Sequence, residues 1–192
     1  MNKTNLLLSI ILTLLLNPCF AADKKSILKP TKPTVFEKTA HGVTFSLKQL
    51  NPDQVNAFYL GRGFTKAQIK PYTKTCIYTA VLRNDQALGQ IHFLRKNWQV
   101  SHQDDYKKIV ENSEWLELFK KTKVSPTALI AFRLAQIPEE QTYDPNGDWN
   151  QGMLSIDLPS GSTFDLSIYW DINGKRDELT LKEVYCAEQT PD

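Results

Sequence analysis

The chain is poor in the residues from which redox and metal sites are usually built. It holds three cysteines and three histidines in 192 residues. The cysteines stand far apart, at 19, 76 and 186, so there is no C-x-x-C pair for thiol exchange or for a zinc ribbon. No G-x-S-x-G elbow, H-E-x-x-H helix or phosphate-binding glycine loop occurs, which leaves the familiar routes to serine hydrolysis, zinc proteolysis and nucleotide binding without their residues. Nor does charge of one sign predominate. Lysine and arginine number 23 against 21 acids, too even a balance to steer the molecule toward nucleic acid or an anionic membrane. Aromatic residues, by contrast, are plentiful. Four Trp, seven Tyr and nine Phe bring enough apolar area for one folded domain with a sizeable core.

The first residues set a compartment. Lys3 precedes an unbroken apolar run from Leu6 to Leu16, Asn17-Pro18 ends it, and Cys19-Phe20-Ala21-Ala22 follows. The run is shorter than the ~20 residues a membrane span requires and fits the core of a secretory signal. Cleavage after Ala21 places Cys19 and Ala21 at the small-residue positions, whereas cleavage after Ala22 would place Phe20 there. Lipidation of Cys19 is disfavoured by Pro18 directly before it. Residues 1–21 are therefore read as a signal peptide, with no membrane span left after its removal and a periplasmic or secreted destination. The mature chain keeps Cys76 and Cys186, which in an oxidising compartment are expected to pair. Pairing removes both as thiol nucleophiles.

Residues 22–41 carry Lys24, Lys25, Lys29, Lys32 and Lys38 with Pro30 and Pro33, the composition of a flexible basic leader. A single domain is expected over 42–188, with 189–192 as a tail. Val43, Phe45 and Leu47 alternate with polar neighbours as in a half-buried strand. Asn51-Pro52 is a helix start; Gly61-Arg62-Gly63 ends that helix, and a short helical piece is expected near 66–69. Thr75 to Arg83 is apolar on both faces and reads as a central strand. Asn84-Asp85 turns the chain into a returning strand over 87–94, and Trp98 to Ser101 extends the sheet. Tyr106 to Lys121 has helical spacing with a break near Asn112. Ala128 to Ile137 suits strand or helix by composition; its length and flanking prolines favour strand. Strands follow at 152–158, 163–172 and 179–186, with Asn173-Gly174 as a hairpin turn. No internal repeat is visible. The pattern is mainly β with helical insertions, an antiparallel β-sandwich of immunoglobulin-like type.

Several spaced motifs point the same way: Phe58-Tyr59 with Arg62-Gly63-Phe64, Thr75-Cys76 with Leu82-Arg83-Asn84, Gly147 to Met153, Pro159 to Ser162 with Phe164-Asp165-Leu166, and the terminal Cys186. Together they resemble an uncharacterised family of exported proteobacterial proteins, over most of residues 42–186. The resemblance implies an immunoglobulin-like exported domain and brings no catalytic residues with it.

Candidate sites are few. His92 and His102, with Asp104 or Asp105 near, are weak candidates for a copper or zinc site, since no spacing matches a metal motif. Asp144 to Asn150 superficially matches a calcium loop but has Trp149 where the pattern requires Gly and Ser155 where it requires Glu; a turn on Asp-Pro-Asn-Gly accounts for it. Trp149, within that polar loop, is the best candidate for binding, together with Arg62 and the neighbouring Asp148 and Asn150. The adjacent carboxylates Asp104-Asp105 and Glu139-Glu140 would face apart on a strand. No catalytic residue and no cofactor is assigned. The expected function is an exported, non-enzymatic binding or assembly domain whose partner is an envelope protein or a small ligand. Metal handling and an unrecognised hydrolase are the alternatives.

Overall fold

The computed structural model describes residues 35–107 and 109–186. The expected signal, the leader as far as residue 34 and the C-terminal tail lie outside the described residues. Two antiparallel sheets face each other, and a helical layer covers the outer face of one of them. The first sheet has the order β1 (Val35–Ala40), β2 (Val43–Gln49), β3 (Cys76–Asn84) and β8 (Asp148–Ile156). In the second, β9 (Thr163–Ile172) is central. β10 (Lys175–Tyr185) pairs along one side of it, and β4 (Ile91–Leu94) and β5 (Gln99–His102) follow one another along the other side. A 3-10 turn, Arg95–Asn97, separates β4 from β5. β6 (Asp105–Lys107) then pairs with β5, and β7 (Glu140–Tyr143) with β4.

Alternation explains why these strands stack. Cys76, Tyr78, Ala80 and Leu82 of β3 face the second sheet, whose Phe164, Leu166, Ile168 and Trp170 point back. The opposite face of β3 is not free, because Ile77 joins a second core with Met153 of β8 and the helices. These are α1 (Pro52–Leu60), α2 (Lys66–Thr73), α3 (Asn112–Lys121) and α4 (Pro126–Ala135). A buried polar chain fixes them to the sheet. Tyr72 donates to Gln136 Oε1 (3.0 Å), Gln136 Nε2 donates to the Tyr59 hydroxyl (2.7 Å), and that hydroxyl donates to Met153 Sδ (3.4 Å). Burial pushes both phenols well above the ordinary tyrosine pKa, so the donors stay protonated.

The four helices are two copies of one hairpin. A constant shift of 60 residues superposes the capping boxes Asn51/Gln54 and Glu111/Glu114, the buried Tyr59 and Phe119, the left-handed Gly63 and Lys123, and the caps Thr65 and Ser125. The same turn hydrogen bond recurs, Phe64 N–H to Tyr59 O and Val124 N–H to Phe119 O. Residues 51–72 and 111–132 align without a gap and without one identical residue. The repeat absent from the sequence is present in the backbone.

Several expectations need correction. Residues 35–40, expected in the leader, form β1. His41 and Gly42, at φ 52° and 78°, make the tight turn that returns this strand onto β2. The segment read as strand over 128–137 is α4: Ser125 caps it by accepting from Ala128 N–H, and Pro126 occupies its first turn. The strand after Asn84 does not return along β3; it begins at Ile91 and joins the other sheet. Tyr106 and Lys107 are strand, and the helix begins only at Asn112.

Chain crossings between layers are tight. At Gly152 of β8 the backbone of Gln136-Ile137 runs past so closely that any Cβ would meet Ile137 N and Gln136 C. Ile137 N–H donates to Met153 O there, which places Gln136 in the helical core and Ile137 in the sandwich. Gly152→Ala is therefore expected to cost about 1–3 kcal/mol in chemical unfolding. Cys76 and Cys186 are joined, as the two remaining cysteines lead one to expect, with their Cα atoms 5.5 Å apart across 110 residues of sequence. The bridge ties β3 to the residue after β10, one sheet to the other. Replacing both cysteines by alanine should lower the unfolding free energy by about 2–4 kcal/mol, read as a drop in the urea midpoint.

Candidate functional site

Trp149 stands near the start of β8, directly opposite Arg83 of β3. It is thus in a strand and not in the polar loop expected from the sequence. Strand alternation sets its direction. Leu154 and Ile156 face the sandwich, whereas Met153 and Ser155 face the helices, and Trp149 shares the face of the latter pair. The helices cover the far end of this face and leave Trp149 uncovered, 54% exposed.

The surroundings of the indole are fixed. Asp85 grips Arg83 with both carboxylate oxygens, 3.2 Å from Nε and 3.3 Å from a terminal nitrogen. The Thr44 hydroxyl, and then Arg83 itself, hold the Asp85 carboxyl below the usual carboxylate range. Beneath them lies Asn84, fully buried. Its amide donates to Gly89 O (3.0 Å) and Tyr143 O (3.1 Å) and accepts from Ala87 N–H (3.1 Å). Those bonds pin the 85–90 loop, and Gly147 N–H donates to Asn84 O to pin the turn before β8. The result is an exposed ring on a rigid floor beside an immobilised guanidinium.

The other candidates do not join it. Asp148 closes its own turn, accepting from Asp144 N–H (3.1 Å) and Trp149 N–H (2.9 Å). Asn150 points to the other face of β8, by the same alternation. Arg62 follows the end of α1 and lies over the Phe58 ring, 3.4 Å from its centroid, donating to Phe58 O at 2.9 Å. It stacks, one of the roles open to it from sequence, and bridges no carboxylate. His92 and His102 lie end to end along β9 and do not face each other. His92 Nε2 is 2.8 Å from Glu140 Oε1, and His102 Nδ1 is 2.9 Å from Thr163 O. Among the described residues no group of three His, Cys, Asp or Glu is placed to hold a metal ion, and no helix is long and apolar enough to cross a membrane.

The most buried charge has no signature among its neighbours in sequence. Arg95, in the 3-10 turn between β4 and β5, is 1% exposed. It donates to Asn112 Oδ1 and Ile137 O, each at 3.0 Å, and reaches Glu139 (3.3 Å) and Glu111 (3.5 Å). Glu139 also accepts from Asn112 N–H at the start of α3 (2.7 Å). Arg95 thus joins the second sheet to the helical layer. An arginine after an apolar strand has no local signature of this role. The adjacent carboxylates do face apart as expected, Glu139 toward Arg95 and Glu140 toward His92.

Comparison with protein-family models, curated proteins and solved structures finds no match for this chain.

Burial raises the Glu111 carboxyl above its ordinary pKa, with Glu139 reinforcing the shift and Arg95 opposing it. A carboxyl raised in the folded state favours the fold below its unfolded pKa, and that contribution is lost as pH rises through the folded value. Glu111→Gln removes the titration. The stability advantage of wild type over this variant should therefore shrink as pH rises above the ordinary glutamate value of about 4.3, measured by urea unfolding. A difference independent of pH would refute the assignment.

Proposed function

We propose that this protein is an exported, non-enzymatic binding or assembly domain whose contact surface is centred on Trp149, with an envelope protein or a small ligand as partner. The observation that carries the reading is the exposed indole itself, held on a sheet beside a fixed arginine. Tryptophan and arginine dominate the energetics of binding surfaces, the first because its large rigid ring orders at little cost, the second because its planar guanidinium stacks and forms paired hydrogen bonds. A rigid presentation lowers the ordering cost of association. Export is supported by the apolar N-terminal run and by the disulfide. An immunoglobulin-like relationship is supported by two facing antiparallel sheets bridged by that disulfide.

Two measurements test the reading. The mature protein from the exported fraction should begin at Ala22 by mass spectrometry. Proteins crosslinked to it in its native envelope should include one species that is lost with Trp149→Ala and kept with Leu88→Ala, a change at another exposed apolar residue. The loss should amount to at least about tenfold, the usual scale of a central tryptophan. The same crosslinked set from wild type and both variants would remove Trp149 as the contact.

A further inference from the structure

A sizeable cavity lies away from Trp149, on the helical layer. It is a cleft of about 610 Å³ between α2 and the start of α3, floored by the ends of β3 and β8. Its volume falls in the range of small-molecule sites. Ala67, Lys70 and Pro71, on one face of α2, form one wall with Lys74 just past its end; Glu114 and Trp115 form the other, and Asp157 closes the sheet end. Trp115 gives its indole N–H to Ser155 Oγ at 2.9 Å, so what it offers the cleft is apolar ring.

The charges of the cleft are uncommitted. Among the described residues, Lys70, Lys74 and Asp157 form no ion pair. Glu114 spends one carboxylate oxygen on Glu111 N–H and leaves the other open. The repeated hairpin supplies an internal control. At the shift of 60 residues, Lys70 corresponds to Ile130, each inside its helix, and Glu114 to Gln54, each closing a capping box, while Lys74, which caps α2, corresponds to Leu134 in the last turn of the longer α4. Neither the lysines nor the negative charge is needed to build the hairpin.

Two cations on one wall and two carboxylates around the other match neither a simple anion nor a simple cation. They match a molecule that carries both charges, with an apolar group between them for Trp115 and Pro71. We infer that this cleft binds a zwitterionic ligand of the amino-acid or short-peptide class, its carboxylate toward Lys70 and Lys74 and its ammonium toward Glu114 and Asp157. The site is separate from Trp149, roughly 25 Å along β8 by strand rise, and it stands whether or not Trp149 is a contact.

The test uses L-alanyl-L-phenylalanine, its N-acetyl form and its C-terminal amide, titrated into the mature protein while the Trp115 indole N–H is followed by two-dimensional NMR. The free dipeptide should shift that signal saturably, and either blocking group should weaken binding at least about tenfold, the effect of one lost charge-assisted contact. With Lys70→Ala/Lys74→Ala the amide and the free dipeptide should bind alike. With Glu114→Gln/Asp157→Asn, which keeps the capping hydrogen bond possible, the acetylated and free forms should bind alike. No saturable shift by about 10 mM dipeptide, equal binding of blocked and free forms, or discrimination that survives both double variants would each overturn the inference.

Discussion

Strand β3 is covered along the whole of one face and at one end of the other, and most of the molecule follows from that condition. Its one face, through Tyr78, Ala80 and Leu82, packs on the second sheet; its other, through Ile77, packs on the helical hairpins. A strand so placed can expose neither edge. β8 therefore pairs with all of it and β2 with Tyr78 to Asn84. Chain must then cross between layers at β8, which Gly152 permits by carrying no side chain. Where layers meet, several polar groups that cannot reach water are paired with one another. Tyr59, Tyr72 and Gln136 do this above the sheet, and Arg95 with Asn112 and Glu139 does it at the border of the second sheet. An unpaired group at either place would cost more than these bonds contribute net.

Much of this was legible in the residues. Alternation placed β2, β3, β9 and β10, cap residues placed α1, and two remaining cysteines implied one bridge. The failures share a cause, which is that the deciding partner is distant in sequence. α4 is apolar nearly all round, so its period carries no signal, and its two faces are distinguished only by Phe132 packing on Phe119 and Tyr59. β1 has few apolar residues because it is an edge strand, defined by pairing with β2. β4 departs from β3 because Asn84 turns its side chain into the loop that follows, bonding Gly89 and Ala87. The candidate site was legible as a residue and not as a place. Trp149 was found, but its neighbour Arg83 lies across a strand pair, and Asp148 and Asn150, adjacent in sequence, turn away from it.

The hairpin repeat separates what the frame demands from what it tolerates. It demands a cap, a buried ring near the end of the first helix, a left-handed turn residue and a second cap. A different residue meets each demand in the two hairpins, alike in chemistry at the rings and second caps and unlike at the turn. Gly63 and Lys123 show the margin: the turn prefers glycine, and lysine at φ 57° is accepted there at a modest backbone cost. Surface positions between these anchors are then free to differ, and two related hairpins in one domain can carry unlike chemistry.

The four tryptophans are distributed among the layers in a way that makes the molecule readable by light. Trp98 and Trp170 are buried in the sandwich, Trp115 is wedged between helices and sheet, and Trp149 faces solvent. Each indole thus reports a different part of one architecture. A chain that loses its helical layer first would change the emission of Trp115 while Trp98 and Trp170 stayed dark to quencher. A chain that melts as one body would change all three together. Whether two cores sharing a strand form one cooperative unit is written into where its rings lie.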